Sequence, residues 1–374
     1  MLSPQYFVET LQENNIDFFT GVPDSLLKSV CAYITDHTEP ECNIIAANEG
    51  AALSLAAGYH LATHKIPVVY MQNSGLGNCV NPLMSLVDKA VYHIPVLLVI
   101  GWRGEPGIKD EPQHIKQGQV TLSLLETMGI RYEILAGENE AFKRQLQSAL
   151  AYQERTGESF AFVVRKGTFE EYKLRKDETS RLHINRETAI RQVVSVLNDN
   201  DVVVSTTGMI SRELFEIRAA VNQGHHRDFL TVGSMGHASQ IALGIALQNK
   251  NREVYCLDGD GALLMHMGSL AITGNLKAGN YKHIVFNNGA HDSVGGQPTV
   301  CMNMDLPQIA LGCGYRAASS VVQPEMLPEA LEWIKNTEGP VLLEIKVRKG
   351  ARKDLGRPTR SPEENKGDFM KFIE

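Results

Sequence analysis

The chain has 374 residues, of which 43% are apolar and 21% charged, enough for two domains that each bury a core. A formal net charge of −7 argues against a nucleic-acid or membrane-surface protein, which needs a basic stripe. The longest apolar run, around Ile94–Ile100, is far too short to span a bilayer.

Met1-Leu2-Ser3-Pro4 carries no basic and apolar leader; Ser3 as N-cap and Pro4 at the first helical position predict a helix instead. The cysteines (Cys31, Cys42, Cys79, Cys256, Cys301, Cys313) lack metal or disulfide spacing, which predicts reduced thiols in a cytoplasmic protein. Apolar runs then alternate with helical patterns: Val68–Tyr70, Val96–Ile100, Phe160–Val164, Val202–Val204, Val254–Leu257, Ile284–Phe286 and Val341–Val347. Continuous apolar strands separated by helices predict an α/β chain with parallel sheets covered on both faces.

The two halves also repeat each other. Gly50-Ala51-Ala52, Ala56, Gly58 and Leu61 reappear as Gly236-His237-Ala238, Ala242, Gly244 and Leu247. The same offset carries Val68–Gly75 onto Val254–Gly261, and each half closes on Arg-Lys-Gly, at Arg165–Gly167 and Arg348–Gly350. The expectation is two tandem, similar, doubly wound parallel-sheet domains, 1–167 and 186–350. A charged linker, 168–185, joins them, and a charged tail, 351–374, is either a dimer-clasping arm or, the blander reading, a loose end. Ligands in such sheets bind beyond the carboxyl ends of the strands.

Leu257-Asp258-Gly259-Asp260-Gly261-Ala262 lies at one such end. Glycines there let backbone approach a phosphate, and Asp260 would repel that phosphate unless a cation such as magnesium stood between them. A second oxygen donor is expected after the next strand, where Asn287-Asn288-Gly289 follows Phe286. Either turn alone is common; the pair, one βαβ unit apart, is specific. It resembles the cofactor signature of the thiamine-diphosphate-dependent 2-oxo acid decarboxylases.

That resemblance implies a thiamine diphosphate and Mg2+ site. It gives the metal to Asp260, Asn288 and the carbonyl of Ala290, with Gly259, Gly261 and Ala262 around the diphosphate. Ala46-Ala47-Asn48-Glu49-Gly50 resembles the family's segment whose glutamate protonates N1′ of the aminopyrimidine, which nominates Glu49. Gly233-Ser234-Met235-Gly236 resembles the segment that bends the cofactor, with Met235 beneath it and the Gly233 carbonyl on its amino group. In relatives the two grips come from different subunits, which implies a homodimer or larger homo-oligomer with active sites at the subunit interface.

Gly21-Val22-Pro23-Asp24-Ser25 and Asn73-Ser74-Gly75-Leu76-Gly77-Asn78, with no room for a third domain, resemble the phosphonopyruvate decarboxylases, with the sulfopyruvate decarboxylases as near neighbours. The resemblance implies decarboxylation of a small anionic 2-oxo acid, places Asn73 and Gly75 near the cofactor, and makes Asp24 a catalytic candidate. The polar loop Trp102–Lys116 follows an active-site strand. There His114 is either a proton-handling group or a plain loop histidine, and Arg103, Lys109 and Lys116 are candidate anion binders. Ser25, Arg212 and His291 complete the substrate candidates. The chain departs from its longer relatives in carrying Ser269 and Val294 where they keep glutamates, which leaves the product-protonating group unassigned.

Overall fold

The computed structural model describes residues 1–175 and 182–374. Its chain divides into two compact units, one holding 1–175 with His291–Gln297, the other 182–290 with 298–374. The first unit carries strands β1 (Phe19–Gly21), β2 (Asn43–Ile45), β3 (Val68–Gln72), β4 (Leu97–Gly101), β5 (Arg131–Ile134) and β6 (Phe160–Val164). Its helices are α1 (Pro4–Glu13), α2 (Lys28–His37), α3 (Glu49–Thr63), α4 (Leu76–Pro82), α5 (Pro112–Thr127) and α6 (Asn139–Thr156). Ser3 caps α1 through its side chain, as its sequence predicts.

The second unit carries β7 (Val202–Ser205), β8 (Asp228–Leu230), β9 (Val254–Gly259), β10 (Tyr281–Asn287), β11 (Ala317–Val321) and β12 (Val341–Lys346). Around them stand α7 (Arg186–Val196), α8 (Met209–Ala220), α9 (Ala238–Gln248), α10 (Asp260–Met265), α11 (Ser269–Leu276), α12 (Leu306–Gly312), α13 (Leu327–Asn336) and α14 (Pro362–Ile373). The sheet orders are β2-β1-β3-β4-β6-β5 and β8-β7-β9-β10-β12-β11. These are one order used twice, with every pairing parallel.

The continuous apolar strands follow from burial on both faces. Val68, Tyr70, Leu97, Val99, Phe160 and Phe162 enter one core of the first unit, while Val69, Met71, Leu98, Ile100, Ala161 and Val163 enter the core on its opposite face. The second sheet divides the same way, Tyr255 and Leu257 to one side, Val254 and Cys256 to the other.

Two sequence expectations change. Phe169 packs into the first core and Tyr172 donates to Asp36 at 3.0 Å, so residues 168–175 of the expected linker belong to the first unit. Ile184 belongs to the second core, and the rest of that linker, 176–181, lies outside the described residues. The tail is not a loose end. Arg212 donates to the carbonyls of Leu355 and Gly356, and α14 lays Phe369 in the second unit's core. Asn365 accepts from the Leu230 amide at 3.0 Å and donates to the Asp228 carbonyl at 2.8 Å, both in β8.

Candidate active site

In both sheets the winding reverses between the first and third strands, which opens a crevice at their carboxyl ends. In the first unit β1 runs into Asp24 and Ser25, β3 into Asn73–Gly75, and β4 into Arg103. Asp24 is wholly buried; its carboxyl accepts from the Leu26 amide at 2.9 Å, and burial pushes its pKa up. Asn73 spends its amide locally: Nδ2 donates to the Arg103 carbonyl and to Thr121 Oγ1, each at 2.8 Å, while Oδ1 accepts from the Arg103 amide at 3.1 Å. Expected near the cofactor, its side chain here ties the ends of β3 and β4 to α5.

Arg103 has a counter-ion of its own. Its guanidinium forks onto Asp110, Nε to Oδ2 at 2.8 Å and Nη2 to Oδ1 at 2.5 Å, and Nη1 donates to Ser25 Oγ at 2.7 Å. Asp110 also accepts from the Gly104 and Glu111 amides at 2.9 and 2.7 Å, closing the loop on itself. Burial alone would raise the Asp110 pKa; Arg103 and the two amides outweigh it and hold the carboxyl well below the usual range. His114 is buried at the start of α5, whereas Lys109 and Lys116 stand exposed.

Glu49 opens α3 directly after its N-cap Asn48, which accepts from the Ala51 amide at 2.9 Å. The Glu49 carboxyl is 5% exposed and accepts from Asn78 Nδ2 at 2.6 Å through Oε2. Its Oε1 lies against Gly75, where an added Cβ would come within 2.5 Å of that oxygen. Gly75 is thus the hollow in which Glu49 sits.

In the second unit β9 ends at Gly259 and α10 begins at Asp260. Asp260 is 3% exposed, and burial pushes its pKa up to about 6. It receives neutral donors: Thr299 Oγ1 at 2.5 Å and backbone amides, that of Asn288 among them. Asn288 Oδ1 accepts from the Ala290 amide at 3.0 Å, so both motif residues and Ala290 meet at the ends of β9 and β10. Behind them Asp258 Oδ1 accepts from the Gly259 amide at 2.9 Å, and Asp258 Oδ2 lies 3.3 Å from His283 Nε2. The Gly233–Gly236 segment presents Met235 between two left-handed residues, Ser234 at φ 51° and Gly236 at φ 88°. Desolvation pushes the His291 imidazole down to about 4. Arg212 is turned to the tail carbonyls of Leu355 and Gly356.

Residues 3–125 match the N-terminal TPP binding domain of thiamine pyrophosphate enzymes, and residues 206–345 match their C-terminal TPP binding domain. The chain belongs to the thiamine pyrophosphate enzymes. It is 33% identical to a phosphonopyruvate decarboxylase of Streptomyces viridochromogenes over 94% of this chain and 90% of that one. It is also 33% identical to a phosphonopyruvate decarboxylase of Streptomyces hygroscopicus, over 100% of this chain and 94% of the relative. A sulfopyruvate decarboxylase of Methanosarcina acetivorans is 27% identical over 98% of this chain and 96% of its own.

The residues suit the family's groups. A buried carboxylate with neutral donors, a side-chain amide oxygen and a backbone carbonyl form an all-oxygen set of the kind Mg2+ takes alongside phosphate oxygens. Glu49 is buried and accepts from Asn78 through Oε2, a setting that fits a carboxyl able to face a heterocyclic nitrogen through Oε1. Sequence reasoning missed Thr299 on Asp260, and it missed Glu344, which accepts from Asn287 Nδ2 at 2.6 Å. Neither sits in a recognisable motif, and only strand register brings Glu344 to the site.

Proposed function

We propose that the chain decarboxylates phosphonopyruvate to phosphonoacetaldehyde and CO2, using thiamine diphosphate and Mg2+. The observation that carries this reading is 33% identity to two phosphonopyruvate decarboxylases across 94% and 100% of the chain. Thiamine diphosphate, when bound, supplies a thiazolium that accepts the electron pair of the breaking carbon–carbon bond.

Asp260, Asn288 and the Ala290 carbonyl hold the Mg2+, and the backbone of Gly259, Gly261 and Ala262 approaches the diphosphate. Asn78 Nδ2 can only donate, so it fixes Glu49 Oε2 as an acceptor and leaves Oε1 to hold or release a proton at the aminopyrimidine. Met235 and the Gly233 carbonyl seat that ring. Asp24, raised by burial, and His114 are the groups for moving a proton at the reacting carbon. Lys109 and Lys116 meet the phosphonate, while Ser25 and Arg103 do so only if Asp110 yields its place. The working enzyme is a homodimer or larger homo-oligomer with its active sites at the subunit interface. Six unpaired thiols suit the reducing cytoplasm.

Sulfopyruvate is the second reading, favoured by the 27% identical relative that also spans 98% of the chain. Turnover of phosphonopyruvate, sulfopyruvate and pyruvate, compared side by side with both cofactors present, separates the readings. A phosphonate carries one more charge than a sulfonate, and a charge-assisted contact of roughly 1.5–3 kcal/mol predicts about a 10- to 150-fold advantage for phosphonopyruvate. Faster turnover of sulfopyruvate overturns the proposal.

A further inference from the structure

Behind the oxygen donors of the second unit stands a carboxyl that the mechanism above does not use. Glu344 lies in β12 opposite Val285 of β10, and it is 1% exposed. Its Oε1 accepts from Asn287 Nδ2 and its Oε2 from Ser320 Oγ, each at 2.6 Å. With both oxygens accepting, the group has the bonding pattern of a carboxylate. Both donors are neutral, and no ion pair is made to it among the described residues.

The contacts lead from Glu344 to the metal loop. Asn287 Oδ1 accepts from the Gly289 amide at 3.1 Å, and Nδ2 also reaches the Cys301 carbonyl at 3.3 Å. Cys301 Sγ in turn lies 3.7 Å from the Asp260 carbonyl. Gly289 is left-handed, at φ 66°, and leads from Asn288 to Ala290. A buried charge without a counter-ion destabilises a fold unless something else draws on it. Here that cost is borne next to the donor set for a divalent cation.

We infer that Glu344 is a positioning residue of the metal centre. It acts through Asn287 to fix the turn that presents Asn288 and Ala290, and it adds a second buried negative charge that attracts the cation. This rests on reading Asp260, Asn288 and the Ala290 carbonyl as the Mg2+ site.

Glu344→Gln separates charge from shape. Its amide nitrogen can donate to Ser320, whose hydroxyl turns to accept, while its oxygen keeps Asn287. Calorimetric titration of Mg2+ with thiamine diphosphate present should show about tenfold weaker binding, as losses of outer-shell partners commonly do. The metal-free protein should melt at or above the parent temperature, because a buried charge has gone; a merely structural contact would lower it. Unchanged Mg2+ affinity, or weaker affinity with a lower metal-free melting temperature, overturns the inference. Should Glu344→Gln fail to fold, Glu344→Asp decides: it keeps the charge, so it should retain most of the Mg2+ affinity, and a complete loss overturns the inference. An Asp260→Ala control that titrates like the parent means that the metal-site reading has failed. If that control loses binding while Glu344→Gln keeps it, only the inference has failed.

Discussion

The ends of β3 and β4 and the ends of β9 and β10 occupy the same places in two sheets of one order, yet they balance charge in opposite ways. In the first unit the polar groups satisfy one another, Arg103 with Asp110 and Asn73 with its neighbouring backbone and Thr121. Glu49 accepts from Asn78 on one oxygen and rests the other in a hollow left by Gly75. In the second unit Asp260 accepts from neutral groups, and Glu344 does the same behind it. One crevice holds two buried carboxyls, Asp24 and Glu49, among neutral hydrogen-bond donors, a setting suited to a proton. The other accumulates negative charge and suits a metal ion. The fold supplies the location, and the charge balance supplies the chemistry.

Substitutions can break or sharpen that contrast. The largest effect belongs to Asp260→Ala, which should weaken Mg2+-dependent thiamine diphosphate binding on the order of 100-fold. Calorimetry that finds parent-like affinity ends the case for a cation site in the second unit. Glu49→Gln should bind the cofactor as the parent does, yet slow exchange of the cofactor C2 proton by roughly 10²- to 10⁴-fold, since an amide cannot pass the proton on. NMR of the bound cofactor in deuterium oxide reads that rate directly, and parent-like exchange would remove Glu49 from the proton path.

Gly75→Ala tests the hollow itself. The new methyl would crowd the Glu49 carboxyl, costing roughly 1–3 kcal/mol of stability. Turnover should fall while Mg2+ affinity holds, because the damage stays in the first unit. Equal losses of both would mean that the two ends are not independent. Asp110→Asn should be mildest, about 1 kcal/mol or less for a partly exposed pair. The folded Asp110 carboxyl titrates below its unfolded value, so its contribution is complete above that value and fades as the pH falls towards the folded one. Parent and variant melting curves should therefore differ by a constant amount at neutral pH and converge on acidification below about pH 4, the range of an unperturbed aspartate.

The interior strands were legible because both of their faces are buried, which leaves runs such as Leu97–Ile100 without a polar break. β5, β8 and β11 escaped notice, and all three are sheet edges: Arg131-Tyr132-Glu133-Ile134 and Ala317-Ala318-Ser319-Ser320 have no apolar run to read. β1, three residues long, is too short to announce itself. At the site, Asp260 and Asn288, which follow two strands consecutive in sequence, could be nominated from the spacing of their motifs. The partners that come from across the sheet could not. Glu344 reaches Asn287 only because β12 lies beside β10 in a particular register, and Arg103 is paired through a loop closure that periodicity does not encode. The linker was drawn too wide because Phe169 and Tyr172 lie among charges in sequence but pack against the first unit in space.

The docking of Asn365 on β8 also bears on solubility. β8 is the last strand of its sheet, and such a strand offers unpaired amides and carbonyls that another chain can extend into a larger sheet. The Asn365 side chain takes one carbonyl and one amide of β8 for itself, as a neighbouring strand would, and α14 lies over the remainder with Phe369 beneath it. The last dozen residues thus work as a cover strip on an adhesive edge. A chain trimmed ahead of Pro362 would keep the residues of both crevices and still expose a surface prone to edge-to-edge aggregation.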